Sequence, residues 1–182
     1  GAINIALMHT SLEGAAGHDP YAPVSVADLA AAGFDYWALG HIHKRTVHGD
    51  GLGADRVIVM PGIPQGRHVN EAGPKSVTLA TAGADGVMLA ERSVAQAEFA
   101  RINVDVTGAE GWAGVRRAIK TALVDARAEA RPPHLIARLT LKGGAPFAWR
   151  LRRDADQLAE EAKAIARGLD GVWIESIEIE AT

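Results

Sequence analysis

The sequence contains no cysteine, few aromatic residues and no marked excess of charge of one sign. The absence of cysteine excludes a disulfide scaffold, thiolate-ligated metals and cysteine nucleophiles. Nineteen basic residues stand against 22 acidic ones, so the net charge of −3 does not by itself indicate nucleic-acid or membrane binding. Because no apolar run approaches the roughly 18 residues of a membrane span, and no signal-peptide pattern opens the chain, we expect a cytoplasmic protein without a membrane partner.

The remaining composition is that of a folded globular protein. Its 182 residues are 48% hydrophobic and 23% charged, which allows one ordinary domain or two small ones. The chain opens with Gly1 and enters an apolar run almost at once, so we expect it to be the later part of a longer protein.

The first part of the chain has the pattern of an α/β layer. Buried strands are predicted over residues 3–8 and 36–39, around a short helix that begins with the capping-box pattern Ser25–Asp28 and ends at Gly33. Further strands are predicted over residues 57–60, 76–80 and 87–91.

The composition changes near residue 95, so we predict one domain over residues 1–97 and a second over residues 98–182. The second contains predicted strands at 101–106, 135–141 and 172–179, a helix at 110–130, and a later helix that begins with a capping box of Asp154 and Gln157. This order predicts a small two-layer α+β domain, whose helices bury four residues against one sheet face: Trp112, Ile119, Leu158 and Ile165.

Three histidines follow two of the predicted strands. His41 and His43 lie in the segment Gly40-His41-Ile42-His43 after the second strand, and His9 ends the first. Residues i and i+2 of extended chain share a face, and adjacent parallel strands end at one sheet edge, so we expect the three rings to cluster. Although His-X-His pairs also occur by chance, the three together favour a metal site. Imidazole fits zinc, manganese, iron and nickel, and the spacing does not choose among them.

These residues carry a resemblance to a known family. Leu7-Met8-His9-Thr10, followed by the segment 35–43, resembles the last two motifs of the calcineurin-like metallophosphoesterases. The likeness is strongest to the bacterial DNA-repair exonuclease branch of SbcD-type and YhaO-like proteins, because the segment 60–71 is similar to the strand and loop that follow in the YhaO-like members. The resemblance covers residues 3–92, and the later part resembles the family's cap domain only in pattern.

The resemblance implies a specific fold and chemistry. Residues 1–97 would be the C-terminal half of a metallophosphoesterase β-sandwich flanked by helices, followed by the cap. Two divalent ions, manganese in most of the nucleases, would activate a bridging water to attack a phosphodiester of DNA. By motif, His9 and His41 would bind one ion and His43 the other.

The family's earlier motifs, Asp-X-His, Gly-Asp and Gly-Asn-His, precede these two in its members, and none of them occurs before His9 in this chain. They supply a bridging carboxylate, an Asn ligand and the main catalytic histidine, which is therefore expected upstream. Because three of about seven ligands are present, we predict that the longer parent is an enzyme and that this chain alone is inactive.

Two groups of basic residues are weaker candidates. Arg67 and His68 lie in a glycine-bounded loop, where the arginine could clamp a substrate phosphate or only hold loop carbonyls. Arg150, Arg152 and Arg153 form a local basic patch that could contact DNA or be paired with acidic residues.

Two other functions remain open at this stage. One is a mononuclear zinc hydrolase that uses His9, His41 and His43 as a three-histidine site and needs no missing carboxylate. The other is a non-catalytic module that docks DNA or an ATPase partner subunit, as the resemblance suggests for the cap.

The apolar neighbours of Trp112, Trp149 and Trp173 predict core or interdomain packing rather than base stacking. The sequence does not determine the oligomeric state.

Overall fold

The computed structural model describes residues 2–14, 20–49, 56–84 and 86–182. His18 lies outside these ranges. Backbone contacts divide the chain into two compact units. We call Gly1–Pro64 with Lys75–Val94 the first unit, and Gln65–Pro74 with Ala95–Thr182 the second unit. The domain boundary after residue 97 stays a prediction.

The first unit is built on a four-stranded sheet in the order β1-β2-β4-β3. Strands β1 (Ile5–His9), β2 (Tyr36–Gly40) and β4 (Val57–Met60) are parallel, and the short β3 (Thr46–His48) runs antiparallel to β4. Strand β1 begins two residues later than predicted and includes His9. Strand β3 was not predicted, because three residues are too few for alternation to show.

A short helix, α1 (Val26–Ala31), covers one face of this sheet. The predicted capping box is confirmed: the Ser25 hydroxyl accepts from the Asp28 N–H at 3.1 Å, and the Asp28 carboxylate accepts from the Ser25 N–H at 3.3 Å. The Ser25 hydroxyl also donates to the Asp28 carboxylate at 2.6 Å, and this bond, together with the one from the Ser25 N–H, lowers the pKa of Asp28. The helix buries Leu29 against three residues of the sheet: Leu39, Ile58 and Met60.

A hairpin completes the first unit. Strands β5 (Ser76–Gly83) and β6 (Gly86–Ser93) pair along their full length, so both strands extend beyond the predicted ranges.

The second unit contains a three-stranded parallel sheet in the order β7-β8-β9. Its strands are β7 (Ala97–Asp105), β8 (His134–Lys142) and β9 (Val172–Ile179). The helix α2 (Gly111–Glu129) connects the first two strands, and α3 (Ala148–Arg153) and α4 (Ala155–Arg167) connect the last two. Because helices alternate with parallel strands, this unit is α/β rather than the predicted α+β.

The core of the second unit lies between this sheet and its helices. Alternate residues of β8 are at most 1% exposed, namely Leu135, Ala137, Leu139 and Leu141. The predicted burial of Ile119 and Leu158 is confirmed, and Trp112 and Ile165 pack partly buried against the same cluster.

The predicted second capping box is wrong. Asp154 makes no side-chain cap hydrogen bond to α4. Its carboxylate instead accepts from the Arg153 guanidinium at 2.7 and 2.8 Å and from Arg150 Nε at 3.4 Å. The sequence pattern missed α3, whose six residues are too few to show helical periodicity.

Residues 65–74 attach to the edge of β7. The Gln65 amide donates to the Ala97 carbonyl at 2.9 Å and accepts from the N–H groups of Gln96 and Ala97 at 2.9 and 3.2 Å. Further along, Gly73 N–H donates to the Phe99 carbonyl at 2.8 Å. A single 3₁₀ turn, Val69–Glu71, lies between these anchors.

Within the described ranges, none of the helices is both long and apolar enough to cross a bilayer.

Candidate metal edge

Two of the predicted ligands lie at one edge of the first unit's sheet. In the parallel pairing of β1 and β2, His9 is opposite Gly40, and the next N–H, of Thr10, donates to the Gly40 carbonyl at 3.0 Å. His9 therefore ends β1 at the level where β2 ends, and His41 follows directly. Both histidines leave the carboxyl edge of the sheet, where open α/β sheets place their ligands.

The imidazoles of His9 and His41 are in direct contact. Nε2 of His9 and Nδ1 of His41 are 3.2 Å apart, and the ring centroids are 4.9 Å apart at an interplanar angle of 66°. As a hydrogen-bonded pair, one of these nitrogens donates and the other accepts. The predicted proximity of these two rings is thus present in the structure.

Glycine at position 40 makes this contact possible. A Cβ atom placed on Gly40 would lie 3.3 Å from Nδ1 of His9, tighter than most real contacts of this kind. A side chain at this position would therefore require the His9 ring to shift by a few tenths of an ångström.

The backbone of His41 is strained. Its φ of 110° lies in a region that residues with a side chain rarely adopt. Such a conformation costs on the order of 1–3 kcal/mol and persists where the surrounding structure holds it, which is most often at functional sites.

Tyr21 is a neighbour that the sequence analysis missed. Its ring packs edge-on against His9 at a centroid distance of 5.3 Å and lies 6.1 Å from His41. Its loop is fixed by Ser11, whose N–H donates to the Tyr21 carbonyl at 2.8 Å and whose hydroxyl accepts from the Tyr21 N–H at 2.9 Å. Only its position in the loop after His9 could have signalled this role.

His43 is exposed and lies two residues beyond His41. Its backbone passes close to Gly62, where φ is 75° and an added Cβ would lie 2.8 Å from the His43 carbonyl oxygen. Across residues 2–14, 20–49, 56–84 and 86–182, no three His, Asp or Glu side chains group closely enough to hold one ion. The structure therefore brings together His9 and His41 but does not add His43 to a three-ligand group.

Arg67 and His68 lie in the second unit. The Arg67 guanidinium donates to Glu71 at 2.9 Å, and this carboxylate raises the pKa of the arginine. Nδ1 of His68 accepts from the Asn70 N–H at 3.3 Å, which caps the 3₁₀ turn. Both side chains thus have structural contacts, and the phosphate-binding role stays a prediction.

Core packing, one of the two roles predicted for the three tryptophans, is found for Trp112 and not for Trp149 or Trp173. Trp149 and Trp173 are each 59% exposed, whereas Trp112 packs against the core of the second unit. Their apolar sequence neighbours face the core while the indoles point outward, because neighbouring residues of a strand or helix lie on different faces.

Two comparisons with known proteins connect this chain with metallophosphoesterases. Residues 99–182 match the family profile of the middle domain of metallophosphoesterase YhaO. An uncharacterized metallophosphoesterase, YhaO of Bacillus subtilis, is 33% identical over 163 residues, or 89% of this chain. The two matches support a metallophosphoesterase family. The chain spans 38% of the length of the Bacillus metallophosphoesterase. No solved structure shows a significant match.

Proposed function

We propose that this chain forms part of a divalent-metal-dependent phosphoesterase that cleaves phosphodiester bonds of DNA with two metal ions, taken to be manganese. The observation that carries the proposal is the His9–His41 pair at the carboxyl edge of the sheet. The similarity of the chain to metallophosphoesterases also supports the proposal.

The pair has the spacing that two ligands of one ion require. Two imidazole nitrogens at about 2.0–2.1 Å from one ion are roughly 2.8–3.4 Å apart, from octahedral to tetrahedral geometry. The observed 3.2 Å between Nε2 of His9 and Nδ1 of His41 lies within this range. The strained backbone of His41 and the absence of a side chain at Gly40 both serve this approach.

In this proposal each residue of the edge has a defined task. His9 and His41 hold one ion, and His43 holds the second. The bound ions supply a water of lowered pKa and positive charge beside the phosphate. Tyr21 limits the movement of both rings by packing against them. The bridging carboxylate, the remaining ligands and the acid for the leaving group come from sequence outside this chain, in the N-terminal half of the β-sandwich.

The alternative of one zinc ion on three histidines has less support. It requires His9, His41 and His43 around a single ion, and the part of the chain that the structure describes contains no such group. We therefore prefer the two-metal proposal.

The test uses a longer protein that restores the upstream motifs. We expect it to cleave DNA and a small phosphodiester with Mn²⁺, and we expect His41→Ala and His43→Ala each to abolish turnover. His48→Ala is the matched control, because His48 in β3 lies opposite Ile58 and away from the carboxyl edge. Unchanged turnover in His41→Ala would contradict the proposal, and robust metal-dependent cleavage by the 182-residue chain alone would favour the zinc alternative.

A further inference from the structure

We propose that α3 of the second unit binds single-stranded nucleic acid, with Trp149 stacking on an unpaired base and the neighbouring arginines contacting the phosphates. The inference rests on the proposed function for the nature of the phosphoester, but it concerns residues of the second unit, more than a hundred residues along the chain from His9, His41 and His43.

The outward face of α3 presents an aromatic ring beside cations. Ala148 and Leu151 face the core, at 4% and 0% exposure, so Trp149 points outward and is 59% exposed. One turn later, the Arg153 guanidinium carbon lies 5.0 Å from the centre of the Trp149 ring. This cation–π contact orients the indole while more than half of its residue surface stays open to a ligand.

The charge around Trp149 favours an anion. Residues 148–157 contain three arginines and two aspartates. Asp154 pairs with both Arg150 and Arg153 and so holds two guanidinium groups with one carboxylate. Arg152 donates to the carbonyl of Ala181, a neutral group that leaves the positive charge of the arginine uncompensated.

A nucleotide with an unpaired base fits both groups, because its base offers a flat ring for stacking on the indole and its phosphate offers an anion for the arginines. In a duplex the base faces are hidden within the stack. An acidic peptide would satisfy the arginines but leave the exposed indole without a stacking partner.

Trp173 provides a control within the same unit. It is also 59% exposed, but its strand β9 carries two glutamates, Glu175 and Glu178, and no basic residue. The nearby Arg138 donates to Glu175 at 2.7 and 2.8 Å. Exposure alone therefore does not distinguish the two tryptophans, whereas the three arginines of α3 beside Trp149 do.

The experiment measures binding of a fluorescently labelled oligothymidine of about 15 nucleotides, a length near the upper end of the sites that single binding modules cover. The purified chain is used in EDTA, so that no hydrolysis is needed and failure of the metal proposal would not affect the result. We expect Trp149→Ala to weaken binding by roughly 5- to 150-fold. Trp149→Phe should recover most of the loss, and Trp173→Ala should leave binding unchanged.

A second measurement tests the arginines. For Arg153→Gln, the slope of log affinity against log salt concentration should become shallower by about 0.7, the value for one lost phosphate contact on a single strand. Absence of binding by the unmodified chain, equal losses in the two tryptophan-to-alanine variants, or equally tight binding of a duplex or of polyglutamate would each overturn the proposal. Unchanged thermal unfolding of the variants confirms that the losses are local.

Discussion

Replacing Gly62 by alanine should open the loop that carries His43. Two costs add at this position. The residue has a φ of 75°, which costs an alanine about 1–2 kcal/mol. In addition, the new Cβ would lie 2.8 Å from the His43 carbonyl oxygen and 3.0 Å from the Arg45 nitrogen, where ordinary contact begins at 3.4 Å. Both contacted atoms belong to the backbone, so relief requires movement of the segment 43–45.

A matched control separates the two costs. Gly33 is in the same unit and has a φ of 78°, but nothing lies within 4 Å of its added Cβ. Gly33→Ala should therefore cost only the conformational term of about 1–2 kcal/mol. Gly62→Ala should cost about 1–3 kcal/mol more, the usual range for forced overpacking.

Hydrogen exchange of the β4 amides, Val57–Met60, reports the opening free energy of the sheet in both variants. Because these amides belong to the first unit, unfolding of the second unit does not confuse the measurement. Equal destabilisation by Gly33→Ala and Gly62→Ala, within about 0.5 kcal/mol, would refute the argument that the close approach of residues 43–45 requires glycine.

Three further outcomes follow from the described contacts. Arg138 hydrogen bonds lower the pKa of Glu175 from 4.5 to about 2, so their stabilisation is present above pH 4.5 and is lost as the pH falls toward 2. Glu175→Gln should flatten this pH dependence in urea unfolding. Leu139→Ala, at a fully buried site, should cost about 2–5 kcal/mol, whereas Val124→Ala, at a site 43% exposed, should stay within about 0.5 kcal/mol in the same assay. Ser25→Ala removes the capping box and should cost about 1 kcal/mol, measured by hydrogen exchange in α1.

The sequence was sufficient for elements with a strong local signal. The capping residues Ser25 and Asp28 satisfy helix amides within four residues of chain, so their pattern predicts the start of α1 directly. Leu135 to Leu141 alternate because one sheet face is buried, and the same holds for the spacing of Ile119 and Leu158 on their helices. These features depend on chain geometry and burial alone.

Features that depend on distant partners could not be predicted in the same way. Asp154 has the pattern of a helix cap, but two guanidinium groups compete for its carboxylate. The contact of Tyr21 with His9 depends on the conformation of a loop, and no hydrophobic periodicity in the sequence predicts that conformation. In the candidate site, the positions of His9 and His41 at the ends of adjacent predicted strands were enough to predict that their rings lie close together. The position of His43 depends instead on the turn around Gly62, which has no such pattern.

The attachment of residues 65–74 to β7 makes the two units discontinuous in sequence. The chain passes from one unit to the other after Pro64, after Pro74 and after Val94, so no single cleavage separates them. A fragment that starts at residue 95 would lack Gln65, and the N–H groups of Gln96 and Ala97 would lose their acceptor. Conversely, a nick in the turn between β5 and β6 would leave the first fragment bound to the second through the β5–β6 pairing and, in the second unit, through Gln65 and Gly73. We expect the two nicked fragments to migrate together until denaturant is added.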